Sequence, residues 1–95
     1  MLTLEDARAV FVAQAERPDD LVWDRAFVET EEWWIVLYNN RAVYETGNPL
    51  LGLAGNAPFV VPKDGSPPFR LRTNTSLESQ LAELGKTIVT SEGLD

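Results

Sequence analysis

A chain of 95 residues with 44% apolar content and a net charge of −7 is ordinary for one water-soluble globular domain. It holds no cysteine and no histidine, which excludes disulfides, thiolate nucleophiles, sulfur or imidazole metal ligands and the usual proton-shuttling triads. No uncharged apolar run reaches the ~18 residues of a membrane-spanning helix, and the negative field disfavours nucleic acid as a partner.

Thr3 is expected to cap a first helix, with Asp6 three residues on and Leu4, Ala7, Val10 and Phe11 at helical spacing. Glu5 and Asp6 stand where a signal peptide would carry positive charge, so cytoplasmic residence is expected. Pro18 ends the helix near Ala15–Arg17, and Pro18-Asp19-Asp20 forms a turn. Leu21–Thr30 reads as a strand whose charged residues do not fall cleanly on one face. Glu31–Glu32 turn the chain into Trp33–Asn39, a second strand paired antiparallel with the first. Ala42–Glu45 reads as a short extended piece, and residues 46–58 as a connector punctuated by glycine and proline.

Phe59–Val61 begins a third strand, and Lys63-Asp64-Gly65-Ser66 carries turn chemistry. The fourth strand, from Phe69, alternates Phe69 and Leu71 inward with Arg70 and Arg72 outward, and Pro67 and Pro68 place it away from the centre of the sheet. Pairing of these arginines with carboxylates such as Glu29 is the plainer expectation for them. Ser76 caps a second helix bearing Leu77, Leu81 and Leu84, and Gly85 stops it. Residues 87–95 either dock as a short strand or fray. The fold class is therefore α+β, one domain over residues 1–95: an antiparallel sheet of about four strands with an N-terminal and a C-terminal helix packed on it.

Trp33, Ile35 and Leu37 alternate with Trp34, Val36 and Tyr38, so the second strand is apolar on both faces and needs covering twice. Two short helices are expected to cover one face. The other falls to residues 46–58 folding back, to the C-terminal tail, to a second copy or to a partner protein. Trp34 is expected in the core, and Trp33 is the better surface candidate.

Several segments in order resemble the immunity protein 35 family, the YrhB-type domain of bacteria. They are Trp34-Ile35-Val36-Leu37-Tyr38-Asn39, Arg41, Glu45-Thr46-Gly47, Leu53-Ala54-Gly55-Asn56-Ala57-Pro58, Val60-Val61 and Asp64-Gly65. The resemblance spans roughly residues 1–85; Trp33 stands where the family tends to have glycine, Asn40 replaces a common serine and Val43 a common aromatic. It implies a small α+β protein that neutralises a bacterial toxin by binding it, and it brings no catalytic residues.

The residues themselves point away from an enzyme. Gly52-Leu53-Ala54-Gly55 lacks the Lys-Ser/Thr and the following helix of a phosphate loop, and Asp19–Asp20 and Glu31–Glu32 read as solvated turn pairs. Ser66, Ser76 and Ser79 have no base, and Lys63 and Lys86 lie beside polar turns. No cofactor or metal is expected.

The acidic bias concentrates in residues 1–48, with ten acids and four bases, against five and four in residues 49–95. A toxin partner with basic groups is expected to meet Asp19, Asp20, Asp24, Glu29, Glu31 and Glu32 around the first hairpin, with Trp33 as the apolar anchor. The alternatives are a general interaction or chaperone-like module, which a homodimer would also fit, and a small-molecule binder or enzyme using a pocket under residues 47–58.

Overall fold

The computed structural model describes residues 1–15, 18–40, 57–72 and 76–92. Helix α1 (Leu4–Gln14) starts at a reciprocal cap, in which the Asp6 N–H donates to the Thr3 hydroxyl and the Thr3 N–H donates to the Asp6 carboxylate. It ends at Ala15, whose backbone turns extended, and a single-turn 3-10 helix (Pro18–Asp20) leads into the sheet. Strands β1 (Leu21–Thr30) and β2 (Trp33–Asn40) form the expected hairpin across the Glu31–Glu32 turn. The buried Thr30 hydroxyl accepts from the N–H groups of Glu32 and Trp33, at 3.4 and 3.0 Å, and so holds that turn. An irregularity in the ladder between Val22 and Ala26 shifts the register of β1.

Strand β3 (Phe59–Pro62) pairs with β2, bringing Ile35 beside Val60 and Val36 beside Phe59. Strand β4 (Phe69–Arg70) pairs with β3 at one edge, in keeping with the two prolines that precede it. Helix α2 (Leu77–Glu83) starts at Ser76, whose hydroxyl accepts from the Ser79 N–H. Strand β5 (Ile88–Glu92), from the tail for which docking and fraying were both open, pairs with β1 at the other edge. The order is β4-β3-β2-β1-β5, antiparallel throughout. Among the described residues, two α-helices and a five-stranded sheet make an α+β fold, one strand more than the four expected.

The two helices do not share a face, which corrects the expectation that both cover the same one. Ala7 and Phe11 of α1 pack with Val36, Phe59 and Val61, whereas Leu81 of α2 packs with Val28, Ile35 and Val60. Ile35 and Val36, adjacent and pointing oppositely, are 0% and 1% exposed. The reason is topological: β4 and β5 occupy opposite edges, so the chain between them crosses the sheet and α2 lies on the crossing. The middle of β2 is thus sealed twice by its own chain, and a second copy or partner is not required there. The possible contribution of residues 46–56 to that cover, and the extended piece at Ala42–Glu45, lie outside the described residues. Leu84, expected in the apolar stripe of α2, is instead its C-cap and 53% exposed.

Truncating either helix anchor removes the packing of one face. Phe11→Ala is expected to lower the unfolding free energy by about 3–5 kcal/mol and Leu81→Ala by about 2–5 kcal/mol, read from urea denaturation. A loss below about 1 kcal/mol at either position would show that its helix does not close that face.

Candidate functional site

The two tryptophans at the start of β2 diverge to opposite faces and acquire the same kind of surroundings. Trp34 donates its indole N–H to the Leu2 carbonyl at 2.9 Å, and the Lys63 ammonium lies over its ring, 4.7 Å from the centroid. Lys63 in turn forms an ion pair with Glu29, which stands opposite Trp34 in the β1–β2 register. Trp33 meets Phe69 edge-on at 5.3 Å, and the Lys86 ammonium lies over its ring, also 4.7 Å from the centroid. Lys86 forms an ion pair with Glu32. Each indole therefore carries a lysine on its face and each lysine a glutamate, an arrangement that joins cation–π attraction to charge pairing.

The two sets differ in burial. Lys63 is buried, and its backbone is tied at both groups: its N–H donates to the Glu32 carbonyl and its carbonyl accepts from the Leu2 N–H. Lys86 and Glu32 are more open, with side chains 20% and 66% exposed. Beside them a groove of about 470 Å³ runs between the β1–β2 turn and the β3–β4 loop. Trp33, Phe69 and Pro67 form its apolar wall; Glu31, Glu32 and Asp64 supply carboxylates, and Lys63 also lines it, with its ammonium turned to Trp34 and Glu29.

Asp64 is held by its own turn, in which Gly65 adopts φ +86° and the Ser66 N–H donates to the Asp64 carboxylate at 2.9 Å. Hydrogen bonds from the Ser66 hydroxyl and N–H keep the Asp64 carboxyl below its ordinary value. The Asp64 carboxylate therefore stays ionised at neutral pH. Among the described residues no group of three or more His, Cys, Asp or Glu side chains could hold a metal ion. Nor is any described helix long and apolar enough to cross a membrane.

Of the residues singled out from sequence, the fold gathers Trp33, Glu31 and Glu32 at this groove. Glu29 is drawn inward to Lys63 on the Trp34 side. Asp19 and Asp20 sit at the far end of β1, about 30 Å away along a ten-residue strand. Asp24 lies within β1, and its side chain is outside the described residues. The expected pairing of Glu29 with Arg70 or Arg72 does not form. Arg72 pairs with Glu83 at 2.8 Å and Arg70 lies over the Phe59 ring, because β3 and β2 stand between β4 and β1. Asp64, Phe69 and Lys86 join the site without having been picked out as functional. Asp64 and Lys86 read locally as turn residues and Phe69 as an inward strand residue, and nothing in their own segments points across the sheet end to Trp33.

The Asp64 turn has a definite pH signature. A carboxyl whose folded pKa lies below its unfolded value stabilises the fold above the unfolded value of 3.8, and that contribution is lost as pH falls through the lower, folded value. Ser66→Ala is expected to move the Asp64 carboxyl resonance upward toward 3.8 in an NMR pH titration. An unmoved midpoint would remove the Ser66 hydroxyl as a cause and leave the N–H, which alanine keeps.

The family model described as Immunity protein 35 matches residues 6–83 of the chain. No curated protein and no solved structure matches it.

Proposed function

We propose, from the premise that this chain belongs to the immunity protein 35 family, that it is a non-catalytic cytoplasmic protein that binds a cognate bacterial toxin and occludes its working surface. The observation that carries the reading is the groove at the hairpin end, where the aromatic pair Trp33–Phe69 lies among Glu31, Glu32 and Asp64. An aromatic anchor inside an anionic rim suits a partner with a basic surface: the aromatics supply affinity and the charge speeds encounter. A chain without histidine or cysteine has few of the groups that acid–base or nucleophilic catalysis needs, which favours occlusion over chemistry.

A client-binding or self-associating module would have drawn on an uncovered apolar sheet face. α1 on one face and α2 on the other cover the middle of β2, which supports the toxin-binding reading over that one.

Identifying the neighbouring open reading frame, co-expressing the chain with the secreted toxin that the proposal expects there and titrating the pair by calorimetry tests the proposal. Trp33→Ala is expected to weaken binding by at least ~30-fold, the size of an interface hot spot. Adding Glu31→Lys and Glu32→Lys should weaken it further and flatten its dependence on salt. Asn at both Asp19 and Asp20, at the other end of β1, should leave affinity within about twofold, since charges beyond a Debye length are screened. Unchanged affinity and salt dependence in the Trp33/Glu31/Glu32 variant would rule out this surface.

A further inference from the structure

The Lys86 ammonium, on the ring of the groove residue Trp33, is not used by the proposed toxin contact, and it sits where a partner's cation would be best received. We infer that the Glu32 carboxylate and the Trp33 ring form a cation seat that Lys86 fills in the free protein, and that an arginine or lysine side chain of the partner protein displaces it on binding. This deepens the proposed function and rests on it.

The seat is defined by its present occupant: an ammonium 4.7 Å from the Trp33 centroid and ion-paired with Glu32. The occupant can leave without disturbing the fold. The backbone of Lys86 is fixed independently of its side chain by the C-terminal lock of α2. There Gly85, at φ +71°, donates its N–H to the Ala82 carbonyl at 3.2 Å and Lys86 donates its own to the Leu81 carbonyl at 2.8 Å. Only the four-carbon stem of Lys86 needs to swing aside, and its ion pair is open to solvent on the Glu32 side, whose side chain is 66% exposed, so that water can take over the carboxylate as the lysine leaves.

Lys63 is the internal contrast. It makes the same two contacts, to Trp34 and Glu29, yet both of its backbone groups are bonded and its side chain and that of Glu29 are only 10% and 22% exposed. One lysine is built into the fold; the other lies at the mouth of the groove. When Lys86 withdraws, Glu31, Glu32 and Asp64 face the incoming cation, while Lys63 stays neutralised by Glu29. Arginine is the better guest, since a planar guanidinium stacks on an indole and bonds a carboxylate with two N–H groups at once.

A seat already filled lowers the apparent affinity for any competing cation in proportion to its occupancy. Emptying it should therefore tighten binding, by about 3- to 10-fold for a contact of this kind. The probe is acetyl-Gly-Gly-Arg-Gly-Gly-amide, titrated into the full chain while the Trp33 and Trp34 indole N–H resonances are followed by NMR. Lys86→Gln and Lys86→Met, the second keeping the apolar stem, are expected to bind the peptide about 3- to 10-fold more tightly than the natural chain. Glu32→Gln should bind it at least about threefold more weakly. The Trp33 resonance should move, the Trp34 resonance should not, and the same peptide with glutamate for arginine should leave both in place.

Equal or weaker binding by the two Lys86 variants, or a response at Trp34 alone, overturns the proposal. This titration needs no toxin. An intact arginine response together with failed toxin capture would overturn the immunity reading and leave the seat standing, and a bound toxin with no Lys86 effect on the peptide would do the reverse.

Discussion

Strand β2 buries Ile35 against α2 and Val36 against α1, and this two-sided burial is the constraint to which the rest of the fold answers. A strand with no polar face is stable only at the centre of a layered structure, with neighbours on both edges and cover on both sides. β1 and β3 supply the edges, and the helices supply the cover. Because each helix contributes only a few large side chains, notably Phe11 on one side and Leu81 on the other, the domain has little redundancy in its core.

The same alternation that buries the middle of β2 divides its first two residues. Trp33 and Trp34 stand at the end of the sheet, where the helices no longer cover the strand completely, and each remains partly exposed. A partly exposed indole can take a cation over its face without that charge being carried into a dry core, and the cation gains from a carboxylate beside it. On the Trp34 side this combination ties β1, β3 and the N-terminal segment together through Glu29, Lys63 and Leu2. On the Trp33 side it joins the end of α2 to the hairpin turn and leaves a groove open.

A site at the end of a sheet has a practical advantage for a binding protein. The β1–β2 turn and the β3–β4 loop can present charge and aromatic surface without altering the buried ladder behind them, since loops tolerate change that packed strands do not. The anionic character of the groove comes from turn residues, Glu31, Glu32 and Asp64, while its apolar wall comes from Trp33, Phe69 and Pro67.

Much of the local structure was legible in the residues. The cap at Thr3, the hairpin turned at Glu31–Glu32, the edge placement after Pro67–Pro68 and the helix from Ser76 to a stop at Gly85 all follow from short-range chemistry. What lay beyond reach was the side of the sheet on which each helix lands, the use of Ile88–Glu92 as a fifth strand, and the partner of each charge. Glu29 is close in sequence to the acidic turn yet belongs to Lys63, and Lys86 is 53 residues from Trp33 yet lies on its ring. Periodicity and capping are properties of a segment, so sequence alone determined both helices, the first four strands and the apolar character of β2. Strand order and the crossing of the chain from edge to edge are properties of the whole sheet. Only tertiary structure decided which face α2 covers, and with it which lysine is locked in the fold and which stands at the groove.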